Sequence, residues 1–286
     1  MIIVLGVLVF TLGLCFGSFV NMWEYRLARG YGLIKLKKTD TLTPPYNKNR
    51  SFCDGCGRQL KWYENIPVFS WIIQKGKTRC CHKKLSITYP IVELLTGILF
   101  LLFFWIKVFP NLMNGLAFNI PGVDFSSLRV AVELFVYLLI IVCLVLSSIF
   151  DLKYMILPDI STGILIGCGI VLLIFGGVFN TPLLLLISGL TAFGFLGILY
   201  LVTKGKGMGL GDVKFAFFMG LFLGWQRTII AFYLAFIVGA IVGIFLIVLK
   251  KAKKNSAIPF GPFLILGTFF AWWWGDYLLN FVYKWF

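Results

Sequence analysis

Two aspartates lie where apolar segments of the chain begin and end. Asp212 follows a glycine-rich turn at the start of one segment, and Asp151 comes directly after the apolar run 130–150. A carboxylate at the end of a membrane helix is costly unless it is solvated or paired, so each is a candidate functional residue. Two acids held close together share a proton, so that one acts as an acid and the other as a base. The alternative is that both are ordinary solvated residues at helix ends.

The glycines around Asp212 indicate how a second backbone can reach it. Gly209 and Gly211 lack a Cβ, so their backbone takes conformations that other residues resist and leaves room for close approach. We therefore assign Gly209, Gly211 and the nearby Lys214 to substrate binding.

The composition predicts a protein that folds in lipid. The chain has 286 residues, of which 60% are hydrophobic, and its mean hydropathy is +0.94. These values lie far from those of an average soluble domain. A net charge of +15 would suggest nucleic acid in a soluble protein. Here the charges concentrate in loops between apolar runs, so we expect contact with membrane lipid and no nucleic acid.

Eight apolar segments are candidates to span a bilayer, which takes about 20 residues. They are 2–23, 90–109, 130–150, 160–179, 183–202, 213–225, 228–249 and 260–283, and the sixth is short. The predicted fold class is an all-α polytopic membrane bundle of about eight transmembrane helices with a small cytoplasmic loop domain that contains cysteines. The predicted domains are a first transmembrane helix (1–23), a basic loop with a Cys cluster (24–88) and a transmembrane bundle (89–286).

Lysine and arginine orient this bundle. The loop 24–88 is strongly basic, and the loops after the third, fifth and seventh segments each carry lysine, all on one side of an eight-span chain. The positive-inside rule places these loops in the cytoplasm. Asp151 and Asp212 then lie on the same cytoplasmic face, which supports a shared site.

The basic loop contains a candidate metal site. Cys53 and Cys56 have the CxxC spacing that points two thiolates at one tetrahedral ion, and Cys80, Cys81 and His82 follow later. A structural disulfide is not expected in a cytoplasmic loop. The two interpretations are a zinc site and plain reduced thiols.

Taken in order, these motifs resemble the type IV prepilin peptidase family of membrane aspartic proteases that are also N-methyltransferases. The matching motifs are Gly17-Ser18-Phe19, Asn21, Tyr25-Arg26-Leu27, Cys53-x-x-Cys56-Gly57, Trp62-Tyr63-Glu64-Asn65-Ile66-Pro67, Tyr89-Pro90-Ile91-Val92-Glu93, Phe150-Asp151, Leu157-Pro158-Asp159, Gly209-Leu210-Gly211-Asp212 and Pro259-Phe260-Gly261-Pro262. The ordered set runs over nearly the whole chain and is far more specific than the GxGD motif alone.

The resemblance implies an activity and its residues. Asp151 and Asp212 match the catalytic pair of the family. The implied substrates are type IV prepilins or pseudopilins, whose basic leader is cut at the cytoplasmic face of the bacterial inner membrane. The new N-terminus is then methylated from S-adenosyl-L-methionine. The polar residues Glu24, Tyr25 and Arg26 after the first helix are assigned to the methyltransferase region, with interfacial anchoring as the alternative.

The resemblance also bears on the cysteines. The family has two CxxC pairs, and Cys81 fits the second Cys of the second pair, whereas Thr78 stands at the position of its first Cys. A tetrahedral site then needs one further donor, which is Cys80 or His82. We favour Cys80, which gives Cys53, Cys56, Cys80 and Cys81 as ligands of a structural zinc ion.

Two other classes of protein share parts of this pattern. A presenilin-type intramembrane protease also uses a GxGD acid and a partner aspartate, but the Cys loop and the Pro259–Pro262 motif count against it. A proton-coupled transporter could use a pair of acids, but the sequence has no evident inverted repeat.

Overall fold

The computed structural model describes residues 2–34, 51–53, 56–110, 125–175, 182–205, 207–250 and 258–284. Over these ranges the regular structure is helical, and backbone pairing between extended segments is limited to two isolated bridges. The chain divides into two compact units, Met1–Ala117 and Phe118–Phe286.

The first unit contains two long helices and the Cys-bearing segment between them. These are α1 (Ile2–Gly30), a 3₁₀ turn (Trp62–Asn65), the short α2 (Phe69–Ile73) and α3 (Thr88–Phe103), which continues as a π-helical turn (Phe104–Val108). Helix α1 packs along α3. A Cβ on Gly17 would lie 2.6 Å from the Cα of Glu93, so only glycine permits this close approach of the two helices.

In its described residues the second unit contains six helices, one of which is central and buried. They are α4 (Phe125–Tyr154), α5 (Asp159–Phe175), α6 (Pro182–Val202), α7 (Leu210–Leu223), α8 (Trp225–Val248) and α9 (Gly261–Tyr283). From Phe215 to Leu223 helix α7 is apolar on all sides, and most of these residues are buried; the helix packs against α5, α6, α8 and α9. A helix that is hydrophobic all round belongs in a core, and residues 215–223 of α7 lie in that core.

A tight connection joins α4 to α5 next to Asp151. Met155 has a φ of 56° and donates its backbone N–H to the carbonyl of Asp151, which ends α4. The hydroxyls of Ser147 and Ser161 lie 2.8 Å apart in the interior and tie the two helices together. The connection is therefore fixed, and it holds Leu157 in the interior.

The eight long helices, α1 and α3 to α9, coincide with the eight predicted apolar segments, which confirms an all-α polytopic protein with a Cys-containing segment. Among the described residues, five segments are long and apolar enough to cross a membrane by length and composition: Ile2–Gly30, Thr88–Val108, Ala131–Tyr154, Pro182–Val202 and Trp225–Val248. The chain is a multi-pass membrane protein.

The ends of the elements differ from the prediction in two places. Helix α1 continues to Gly30 instead of ending at residue 23, so Glu24, Tyr25 and Arg26 belong to its last turns. The compact units divide at 117/118 and not at 88/89, because α3 packs on α1. The functional division into 1–23, 24–88 and 89–286 stays a prediction.

Candidate active site

Asp212 lies in the first turn of α7. Gly209 precedes the helix in an extended conformation, and its backbone N–H donates to Asp212 Oδ2 at 2.9 Å. An acid three residues into a helix commonly bonds back to the residue that begins it. The amino end of a helix also favours negative charge. Only 7% of Asp212 is exposed, so this carboxylate is held by its own helix inside the protein.

Asp151 lies in the last turn of α4, where the helix dipole disfavours a negative charge. Its Oδ2 accepts a hydrogen bond of 2.9 Å from the backbone N–H of Gly261, the first residue of α9. The amino end of α9 therefore faces the carboxylate and offsets the unfavourable position on α4. Asp151 is 5% exposed, so the bond lies in the interior.

Leu157 connects the elements that carry the two acids. A Cβ on Gly211, next to Asp212, would lie 2.9 Å from Leu157 Cβ. A Cβ on Gly261 would lie 3.2 Å from Leu157 Cδ2 and 2.7 Å from Asp151 Oδ2. The Asp151 charge also acts electrostatically on Asp212. The two acids therefore lie on elements that both pack against Leu157.

Two buried carboxylates that interact can share one proton, and the pair then titrates as a unit. Such a pair can activate water with the ionised member and donate a proton to a carbonyl oxygen with the other. This is the arrangement expected of an aspartic peptidase built into a membrane bundle.

The three residues predicted to bind substrate occupy different surroundings. A Cβ on Gly209 would make only ordinary contacts, the nearest with Asp212 Oδ2 at 3.7 Å. Gly211 instead permits the packing of α7 against Leu157. Lys214 is exposed, and its Nζ lies 2.7 Å from Asp159 Oδ1.

The four cysteines of the predicted metal site come together in the first unit. The Sγ atoms of Cys53, Cys56, Cys80 and Cys81 all lie within 4.8 Å of one another, and this group does not include His82. The distances are 3.6 Å between Cys53 and Cys81 and 3.1 Å between Cys56 and Cys80. The sequence thus identified a real cluster, including Cys80 as its fourth member.

Two tight turns present these thiols. One is closed by the bridge between Phe52 and Gln59 and the other by the bridge between Lys77 and Lys84. In the second turn Thr78 is buried, and its Oγ1 lies 3.2 Å from Cys81 Sγ. Hydrogen bonds from Thr78 and from the Lys83 backbone lower the pKa of Cys81 to about 6. Thr78 therefore supports a cysteine and is not itself a member of the cluster.

The donor set fits a tetrahedral thiolate site. Four sulfurs bound at about 2.3 Å to one ion lie about 3.8 Å apart. The observed separations bracket that distance, so four cysteines on two turns can close around one ion with little movement.

The residues assigned to the methyltransferase region lie on the last turns of α1. Tyr25 and Arg26 line a cavity of about 720 Å³ in the first unit, whereas Glu24 is buried away from it. The same cavity is lined by Glu93 of α3. The sequence motifs assigned no site role to Glu93.

Two features were not predicted from the sequence: the backbone partner of Asp151 and the place of Glu93 on the cavity wall. The signal for the first was the glycine between two prolines, Pro259-Phe260-Gly261-Pro262, at the start of an apolar segment. The signal for the second was an acid four residues into another apolar segment.

Two family profiles match the chain. The Bacterial Peptidase A24 N-terminal domain matches residues 11–107, and the Type IV leader peptidase family matches residues 138–244. These ranges fall in the first and second compact units respectively.

Curated relatives agree with the profiles. A "Prepilin leader peptidase/N-methyltransferase" of Aeromonas hydrophila is 34% identical, covering 96% of this chain and 94% of that protein. A protein of the same name from Legionella pneumophila is 30% identical over 81% of this chain and 74% of that protein. The chain therefore belongs to the type IV leader peptidase family, as its motifs predicted, and a presenilin-type protease is not favoured. No solved structure matches it.

Proposed function

We propose that this chain is a prepilin leader peptidase and N-methyltransferase in which Asp151 and Asp212 form the catalytic pair of the peptidase. Membership of the type IV leader peptidase family supports the activity. The observation that carries the residue assignment is the pair of buried carboxylates, each bound by a backbone N–H at the start of a helix. Such fixed donors hold the oxygens in place before substrate arrives.

The chemistry follows from a shared proton. The ionised carboxylate takes a proton from water, and the resulting hydroxide attacks the peptide carbonyl, while the protonated carboxyl donates to the carbonyl oxygen. The proton belongs to the pair, so neither aspartate is fixed as the acid. A peptide bond inside a helix is shielded, so the cleaved segment binds in extended form beside Gly209.

The active site faces the cytoplasm in this proposal. Lysines lie in the last turn of α4, in the loop that follows α6 and in the Cys-bearing segment, and lysine and arginine favour the cytoplasmic side. The substrates are type IV prepilins or pseudopilins, whose basic leader remains in the cytoplasm. Lipid surrounds the apolar helices, and nucleic acid is not a partner.

Methylation is assigned to the first unit. S-adenosyl-L-methionine supplies the methyl group, and Tyr25 and Arg26 on the wall of the cavity support placing the methyltransferase region there. Glu24, the third predicted residue, supports this region from the buried side of α1.

The Cys cluster is proposed to hold a structural zinc ion through Cys53, Cys56, Cys80 and Cys81. Zinc bound by four thiolates has no open position for substrate. The ion joins two turns that lack a hydrophobic core of their own, so its binding stabilises the fold of that segment.

Cleavage by charge-neutral variants tests the catalytic pair. In purified protein, Asp151→Asn and Asp212→Asn are each expected to lower cleavage of a prepilin by at least about 100-fold, because either change removes the shared proton chemistry. Asp159→Asn is the matched control: this exposed acid starts α5 and is expected to leave cleavage within about twofold, since exposed ion pairs contribute little. Near wild-type cleavage by either catalytic variant would refute the assignment.

A further inference from the structure

The first unit contains an open-sided cavity of about 720 Å³ between α1, α3 and the Cys-bearing segment. Sites for small molecules typically have volumes of about 300–1,000 Å³. The value lies in the upper half of that range, so the cavity accommodates a cofactor-sized molecule together with a second small group.

One end of the cavity carries an acid held by the backbone. Glu93 is only 7% exposed, and its Oε2 accepts a hydrogen bond of 2.7 Å from the backbone N–H of Val68. The Ser18 hydroxyl of α1 is a second hydrogen-bond partner. Gly17 packs directly against the Glu93 backbone, and this contact fixes how α1 and α3 are aligned beside the acid. An ionisable residue inside an apolar helix points to function.

The second acid on the wall has a different role. Glu64 forms an ion pair of 2.7 Å with Arg58 and accepts the backbone N–H of Lys61 at 2.8 Å. Glu93 has no such cation partner within the described ranges of the chain. Glu64 therefore serves the fold of its own segment, whereas Glu93 remains available to a cationic ligand.

The other end of the cavity is cationic and aromatic. Arg26 and Arg29 line it from α1, about 12 and 16 Å along the helix from Ser18. The rings of Tyr25 and Phe52, in edge contact at 6.2 Å, also line the cavity. The cavity thus offers a basic end, aromatic surfaces and an acidic end.

The indole of Trp71 provides a further donor. Trp71 lines the cavity, and its Nε1 is buried without a hydrogen-bond partner in the described part of the structure. A buried N–H without an acceptor costs free energy, and a ligand with carbonyl or hydroxyl oxygens would supply that acceptor.

We propose that this cavity is the methyl-transfer site: it binds S-adenosyl-L-methionine and the N-terminal residue of the cleaved peptide together, with Glu93 binding the terminal α-amino group. The inference rests on the proposed methyltransferase function. The arginine end matches the carboxylate of the methyl donor, the aromatic rings match its adenine, and Glu93 matches the peptide ammonium group. The separation of the charged ends leaves the methyl group between them.

In the proposed methyl transfer Glu93 acts as the proton acceptor. The peptide ammonium group gives one proton to the Glu93 carboxylate. The freed nitrogen lone pair then forms the N–C bond to the methyl group, while the S–C bond breaks and its electron pair stays on sulfur as S-adenosylhomocysteine. Glu93 finally releases its proton to water, and the product is a secondary ammonium group.

The first test measures binding without turnover. Full-length protein in nanodiscs is titrated with S-adenosylhomocysteine by calorimetry. Arg26→Met is expected to weaken binding at least about tenfold, as for loss of one partner of a charged hydrogen bond. Lys77→Met, an exposed charge of the same unit that lies off the cavity wall, is expected to leave the Kd unchanged. Equal Kd values for all three proteins would overturn the assignment of the cavity.

A second measurement needs no substitution. Ultraviolet irradiation with labelled S-adenosyl-L-methionine is expected to attach the label to the peptides that contain Tyr25 or Trp71. Labelling of the second unit alone would overturn the cavity assignment even if Arg26→Met fails to fold.

The role of Glu93 is tested with a peptide that is already cleaved. Glu93→Gln is expected to lower its methylation at least about 100-fold, the usual loss of a general base, while S-adenosylhomocysteine binding stays within about twofold. Unchanged methylation would refute Glu93, and a parallel loss of binding would assign it a structural role. If the wild-type protein binds the donor but does not methylate, the proposed methyltransferase function fails and not the binding site.

Discussion

Gly261 and Asp151 are 110 positions apart in the chain and are joined by a buried hydrogen bond from the Gly261 backbone N–H to the Asp151 carboxylate. The bond directs the amino end of α9 at an acid that occupies the unfavourable carboxyl end of α4. It also fixes one oxygen of the proposed catalytic pair. A side chain at position 261 has no room, since its Cβ would lie 2.7 Å from the same oxygen.

Gly261→Ala is therefore expected to displace Asp151 and to lower kcat for prepilin cleavage by about 10- to 100-fold, as small misplacements of catalytic groups do. The matched control is Gly194→Ala in α6, where an added Cβ meets nothing within 4 Å. This control is expected to retain activity and to be slightly more stable, because alanine favours helix more than glycine. Steady-state cleavage and thermal unfolding of both variants check the prediction, which fails if Gly261→Ala cleaves as fast as the control.

The sequence identified the elements and the acids of this site for a physical reason. Apolar runs long enough to span lipid are visible in composition alone, and an acid at the end of such a run stands out. Asp151 and Asp212 could therefore be found, and the alternation of basic loops indicated a shared face. The cysteines could also be found from the sequence, because CxxC spacing is typical of a metal site.

The remaining parts of the site depend on groups that the sequence does not distinguish. Every residue except proline has a backbone N–H, so no residue type marked Gly261 as the donor to Asp151. The close packing of Gly17 on Glu93, which fixes the cavity, requires knowing which two helices are neighbours. The division of the chain also depends on this pairing, because α3 packs on α1.

Substitution of Lys214 distinguishes a role in substrate binding from a role in its ion pair with Asp159 alone. Its ammonium group bonds Asp159, and both side chains are largely exposed, so the pair adds little stability. If Lys214 binds substrate, Lys214→Met is expected to raise KM for the prepilin about three- to tenfold with kcat unchanged. Asp159→Asn removes the same pair and is expected to leave KM within about twofold. Equal KM values in the two variants would show that Lys214 serves only the ion pair.

The cytoplasmic orientation of the site is tested by labelling at the two ends of the helical segment around Asp212. In a variant without native cysteines, Lys204→Cys after α6 and Trp225→Cys at the start of α8 provide exposed thiols. An impermeant thiol reagent added to intact cells is expected to label position 225 alone, because the basic loop after α6 lies inside. Both positions should react once the cells are broken. Labelling of position 204 from outside would contradict the orientation.

Removal of one thiol separates the proposed zinc ion from the peptidase. Cys53 is buried within the four-cysteine cluster, so Cys53→Ser is expected to abolish metal binding, whereas Cys168→Ala, outside the cluster, is expected to keep it. Mass spectrometry of protein purified without chelators is expected to find about one zinc per wild-type chain.

Thr78 both lines the cavity and bonds Cys81, so loss of the ion is also expected to weaken binding of S-adenosylhomocysteine. Cleavage should fall less than in Asp212→Asn. A metal-free wild-type protein would leave four reduced thiols, and cleavage as low as that of Asp212→Asn would make the cluster part of the peptidase.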